Sequence, residues 1–199
     1  MLGVRGLHAG RKQGEIVIAM MGTLPGVGVT YSAISLGTYL SNYCHYRVAL
    51  VEENSNMHFS YIKRAARVIG EENYFSVGKI DYYPGAEEGI WLRLQRMSYD
   101  YILVDYGVNE GSKLNQYARC NYRFLIGSLC EWKREAFETV MDKEGTGVEI
   151  SFYLATLGKR YDMKEFYQEF RIRLYGIPCI HDPFLLVKEV LQFWRRFPI

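Results

Sequence analysis

Strand-like and helix-like segments alternate along this 199-residue chain, and that rotation limits its fold more than any other feature. The short apolar runs "IVIAMM", "RVALVE", "YILVDY", "YRFLIGS", "EISFYLATL" and "IPCI" read as buried parallel strands, with "KIDYYP" a weaker candidate. Helical patterns lie between them: Thr30 to Tyr43, Met57 to Ile69, Glu87 to Met97, Trp132 to Lys143, Met163 to Leu174 and Phe184 to Arg196. Such an order predicts an α/β, doubly wound, mainly parallel β-sheet of about seven strands flanked by helices. No repeat or linker interrupts it. The length and a hydrophobic content of 49% suit one domain, residues 1–199, with residues 1–14 as a flexible N-terminal segment.

Composition excludes several function classes. A net charge of +2, with both signs interspersed, gives no strong nucleic-acid signal and disfavours, as a third reading, a nucleic-acid-associated protein. Cys44, Cys120, Cys130 and Cys179 lie far apart, with no CxxC pair and no histidine at metal-ligand spacing. A zinc site is therefore not expected, and scattered reduced thiols suit a cytosolic protein. The opening "MLGVRGLHAGRKQGE" lacks the apolar core of a signal peptide. No apolar run approaches the roughly 20 residues that span a bilayer. The expectation is a soluble, cytoplasmic protein. His181 and the other histidines read as surface or loop residues.

The chemistry is concentrated in "GTLPGVGVT", residues 22–30, which joins the first apolar run to the first helical pattern. In a phosphate-binding loop, glycines let successive N–H groups point at phosphate oxygens, and the next helix adds its positive end. Gly26 and Gly28 supply that freedom. Against G-x-x-x-x-G-K-[ST], Thr23 takes the place of the first glycine, Gly28 and Thr30 fit, and Val29 replaces the lysine. Two further strand ends raise the signal. "YDYILVDYG" carries Asp105 in the manner of a Walker B strand, whose carboxylate reaches the magnesium shell. "RVALVEENSN" ends in Glu52, with Asn54 two residues on. All three would project beyond the carboxyl ends of the strands, where open parallel sheets bind ligands.

These motifs, in this order, resemble the MinD/ParA group of P-loop ATPases, and within it the atypical TadZ and CpaE members that serve pilus and secretion machines. The group's K-G-G-x-G-K-T loop places its signature lysine on Leu24. Pro25, Gly26, Val27 and Gly28 follow in register, with Val29 on the second lysine and Thr30 on the magnesium-binding threonine. The group's two aspartates after the second strand fall on Glu52 and Asn54, and its Walker B aspartate on Asp105. "FLIGSLCEWKREAFE" resembles the segment after the next strand, and "IPCIHDPF" the late strand and loop near the base pocket.

The resemblance implies a site for ATP or ADP with Mg2+, with Thr30, Glu52 and Asp105 as magnesium residues when Mg-nucleotide binds. The departures weaken that implication. Each absent lysine removes a charge-assisted phosphate contact of roughly 1.5–3 kcal/mol, about tenfold to a hundredfold in affinity. Phosphoryl transfer depends on such cations still more. The sequence therefore reads as a degenerate member: a non-hydrolysing or weakly nucleotide-binding scaffold or localisation factor with protein partners in a pilus or secretion assembly. Its rival is an active ATPase in which Lys63, Arg64 or Arg67 substitutes for the missing charge. Relatives dimerise face to face across the nucleotide, and Leu24 would favour a homodimer that needs none. The tail "PFLLVKEVLQFWRRFPI" has two readings: a helix packed on the sheet, or a basic aromatic helix for peripheral membrane contact.

Overall fold

The computed structural model describes residues 15–69, 73–85, 89–108, 111–142 and 147–199; the N-terminal segment 1–14 lies outside them. Its first strand, β1 (Ile16–Gly22), leads into α1 (Val29–Thr38), which continues as a π-helical turn, Tyr39–Tyr43. β2 (Val48–Glu52), α2 (His58–Ala65), β3 (Phe75–Val77), β4 (Ile80–Tyr83) and α3 (Ile90–Met97) follow. The second half runs β5 (Tyr101–Val108), α4 (Leu114–Ala118), β6 (Tyr122–Ser128), α5 (Glu131–Asp142), β7 (Phe152–Thr156), α6 (Arg160–Phe170), β8 (Leu174–Gly176) and α7 (Lys188–Trp194).

The strands form one sheet in the order β3-β4-β2-β5-β1-β6-β7-β8. Every pairing is parallel except β3–β4. The chain thus moves outward from β1 on one side through β2 and on the other through β6, and the switch point lies at the carboxyl end of β1. Alternate residues of each strand serve opposite faces. Ile18, Met20, Leu50, Leu103, Phe124 and Ile126 pack with Ala33 and Leu36 of α1 and with Val190, Phe193 and Trp194 of α7. Ala19, Met21, Val51, Ile102 and Val104 pack with Ile90 and Leu94 of α3 and Tyr117 of α4.

The structure departs from the sequence expectation at its edges. Among the described residues the sheet has eight strands: "FSV" adds an antiparallel edge strand beside the weaker "KIDYYP" candidate. "IPCI" is not a strand; the last strand is "LYG", where the sequence pattern predicts the end of a helix. Arg171 adopts a left-handed φ of 59° and closes α6 at Phe170, freeing the next residues to extend. The last bond of the ladder is that of Ile177, whose N–H donates to Ala155 O at 2.9 Å; beyond it Leu157, at a left-handed φ of 52°, turns the partner strand away. The final helix is shorter than Phe184 to Arg196: Asp182 Oδ1 accepts the Phe184 N–H in a turn, and Val187 is still extended at φ −76°, ψ 163°.

The tail's apolar side faces inward. Val190, Phe193, Trp194 and Phe197 are all buried, and the Trp194 indole N–H donates to Ser35 Oγ at 2.9 Å. Arg195 lies over the Tyr43 ring and bonds its hydroxyl. The apolar surface that would have met a membrane is therefore used to cover the sheet. Among the described residues, no helix is long and apolar enough to cross a bilayer.

Candidate functional site

The loop after β1 turns tightly. Thr23 N–H donates to Ile126 O at 3.0 Å as the chain leaves the sheet. Gly26 and Gly28 then take positive φ of 69° and 98°, so the path is open to glycine and strained for other residues. Gly28 is the N-cap of α1 and offers no side-chain cap, which leaves the positive end of the helix for an anion. Leu24, Pro25, Gly26, Gly28, Val29, Thr30 and Tyr31 line a cleft of about 130 Å³, with Asn56, His58, Gly107 and Val108 on its far side.

The two positions that would carry lysines are apolar in different ways. Val29 is only 7% exposed and belongs to the core; a Cβ on Gly22 would lie 2.7 Å from Val29 Cγ2. Its side chain is folded back under the loop. Leu24 is half-buried, packs on the same core and forms part of the cleft wall. Neither fills the cleft, and neither brings charge to it.

Three strand ends meet beside this loop, in agreement with the sequence reading. Asp105 is paired in register with Met20 of β1 on one side and Glu52 of β2 on the other. Just beyond it the register slips, so that β5 gains a residue relative to β1. Gly107 absorbs the bulge with φ 65°, and its N–H turns back to Asp105 Oδ1 at 2.9 Å. Asp105 is fully buried, and burial raises its pKa above the usual carboxylate value; the bonds from Thr30 and Gly107 oppose that shift. Thr30 Oγ1 donates to Asp105 Oδ2 at 2.5 Å and lies 3.0 Å from His58 Nδ1. Asn54 Nδ2 donates to Asp105 O at 2.9 Å and to Oδ1 at 3.1 Å.

Glu52 is placed differently. Its Oε1 accepts the His58 N–H at 2.6 Å and its Oε2 the Phe59 N–H at 3.3 Å, so it caps α2. It too is fully buried, and burial raises its pKa against the pull of those two backbone bonds.

Sequence reasoning misses two residues here. It groups His58 with the surface histidines, and His58 is indeed exposed, but as the first residue of α2 it also brings its imidazole to the cleft wall beside Thr30. Lys133, on the first turn of α5, donates from Nζ to Pro25 O at 3.1 Å and Gly26 O at 3.0 Å. Nothing local in "CEWKRE" announces that contact. Lys63, Arg64 and Arg67 are not among the residues lining the cleft; Arg64 instead stacks 4.6 Å over the Tyr61 ring. A second cleft of about 290 Å³ adjoins the loop through Gly26, Val27, Gly28 and Tyr31 and is walled by Thr156, Leu157, Ile177, Pro178, Cys179 and Ile180. The "IPCI" segment thus lies next to the loop, although it is not a strand.

Comparison with solved structures places this arrangement. A plasmid partition protein from Borrelia burgdorferi B31, solved bound to AMPPNP, superposes with a TM-score of 0.63 at 18% identity over 92% of this chain and 96% of its own. MinD in its complex with MinC, from Aquifex aeolicus, gives 0.60 at 15% identity over 89% and 86%. A ParA family ATPase from Chlorobium tepidum TLS gives 0.56 at 14% identity over 90% of both chains.

The fold is that of the ParA and MinD ATPases.

No protein-family model and no curated protein sequence matches the chain. The likeness to ParA and MinD rests on the path of the backbone, and the side chains at the loop decide separately what the site can do.

Proposed function

We propose that this chain is a degenerate ParA/MinD-like P-loop protein of one domain, residues 1–199, that holds a phosphate-bearing nucleotide weakly through its backbone and does not hydrolyse ATP. The observation that carries the reading is the buried Val29 side chain beneath a loop whose two glycines, Gly26 and Gly28, take the positive φ that an anion nest uses. Its role is then a scaffold or localisation factor, and the likeness to TadZ and CpaE suggests a pilus or secretion assembly as its setting.

The residues present fit the phosphates of ATP or ADP. The glycine turn, the uncapped helix end and the Thr30 hydroxyl converge on one cleft, and the apolar walls at Ile177, Pro178 and Ile180 suit a base. They fit Mg2+ less well. Asp105 Oδ1 already takes the Asn54 amide and the Gly107 N–H, and both oxygens of Glu52 hold the start of α2. An amide donor where relatives carry a carboxylate stabilises Asp105 without a cation, which suits a site released from magnesium chemistry.

A homodimer through the face bearing Leu24 accords with this reading, since an apolar side chain there needs no nucleotide to bridge two copies. A phosphate-release assay with ATP and Mg2+ tests the function: the expected result is no release above background. Magnesium-dependent release by the wild type, abolished in Asp105→Ala, would establish the active ATPase instead.

A further inference from the structure

The β6–α5 connection is fixed firmly beside the phosphate loop. Ser128 Oγ lies 3.2 Å from Cys130 Sγ, Leu129 N–H donates to Thr156 O at 3.0 Å, and Lys133 N–H donates to Cys130 O at 2.9 Å. Ser128, Leu129 and Cys130 are buried. From this base Lys133 reaches the loop across more than 100 positions of sequence and bonds two successive carbonyls, those of Pro25 and Gly26. A Cβ built on Gly26 would lie 3.3 Å from its Nζ, so the ammonium sits directly against the turn. Lys133 lines neither cleft.

A trans peptide points its C=O and its N–H in opposite directions. Holding the Pro25 and Gly26 carbonyls at the ammonium therefore turns the N–H groups of Gly26 and Val27 away from Lys133. An ammonium has three donors and no acceptor, so two carbonyls occupy most of its capacity and fix two peptide planes at once. We propose that Lys133 is the positioning residue of this phosphate loop. Its charge orients the loop amides from outside the cleft and supplies part of the positive potential that Leu24 and Val29 do not. This inference rests on the reading of the cleft as a phosphate site, and it requires no contact between Lys133 and the ligand.

Two measurements on Lys133→Met and Lys133→Arg separate the inference from that reading. The first is the ¹H–¹⁵N shifts and backbone order parameters of Gly26, Val27 and Gly28 in the ligand-free protein. Lys133→Met is expected to move the shifts and lower the order parameters at Gly26 and Val27, with core amides such as those of Leu103 and Val104 unchanged as a folding control. Lys133→Arg, which keeps charge and donors, is expected to restore most of the wild-type behaviour. The second is titration with pyrophosphate, whose affinity should fall fivefold or more in the Met variant and show a weaker dependence on salt. Loop amides in Lys133→Met that match the wild type would overturn the inference, whatever binds. Wild-type protein that takes no pyrophosphate, with loop amides still released by Lys133→Met, would support the positioning role and defeat only the phosphate reading.

Discussion

Glu52 and Asp105 are neighbours in the register of β2 and β5, both wholly buried, yet their carboxylates face different tasks. Glu52 holds the first amides of α2, while Asp105 gathers the hydroxyl of Thr30, the amide of Asn54 and the N–H of Gly107. Both carboxylates are thus already answered by internal donors.

That arrangement has a pH signature. Burial raises both pKa values above their ordinary range, so the native state binds protons more readily than the unfolded chain. The contribution of these groups is therefore fullest below the ordinary carboxylate value of about 4 and is lost as pH rises through the raised native values. Asp105→Asn removes one such group. Relative to the variant, the wild type should gain stability as pH is lowered from about 7 toward 4. Urea unfolding across that range checks the sign, and a difference that stays flat or runs the other way would show that Asp105 is not held against its charge.

Asn54 is the second point of leverage. Asn54→Asp would replace a donor to Asp105 with a third carboxylate beside Asp105 and Glu52, at an expected cost of roughly 2 kcal/mol or more at neutral pH. Millimolar Mg2+ should recover part of that loss in the variant while leaving the wild type unmoved. Thermal melts with and without the metal measure both. A variant as stable as the wild type, with no response to Mg2+, would mean that the amide does not stand in for a cation.

Much of this is legible in the sequence because the signals are local. Short apolar runs mark β1, β2, β5 and β6, and the ends of β2 and β5 bring Glu52 and Asp105 beside Thr30 at the start of α1. What is not legible depends on contacts between distant segments. "FSV" is too short to show a period, and it becomes a strand only by pairing with β4. "LYG" becomes one only because β7 offers an open edge. His58 looks ordinary because its neighbour in space, Thr30, is 28 residues away. Lys133 is farther still from the loop that it holds. The direction of the Val29 side chain is likewise set by tertiary packing on Gly22, which no spacing rule encodes.

The C-terminal helix gives a prediction about stability. Trp194 fills the space between Phe124, Phe193 and Phe197 and bonds Ser35. Trp194→Ala should cost about 3–5 kcal/mol in urea unfolding, as large core truncations do. Ser35→Ala should cost about 1–3 kcal/mol by leaving a buried indole N–H without a partner. Substitutions that leave stability unchanged would show that the helix is only loosely seated and that its apolar face is available for another surface.

The central claim, a phosphate nest that has kept its backbone and lost its cation, is tested most directly by calorimetric titration of ATP into the wild type and Val29→Lys. The introduced lysine would run its stem along the core and extend its ammonium into the cleft that Val29 already borders. The expected result is weak binding by the wild type and affinity at least about tenfold higher in the variant, since one charge-assisted contact returns. Turnover should stay absent in both, because Leu24 and Asn54 are unchanged. A folded Val29→Lys protein that binds no ATP, or a wild type that already binds it tightly, would contradict the account.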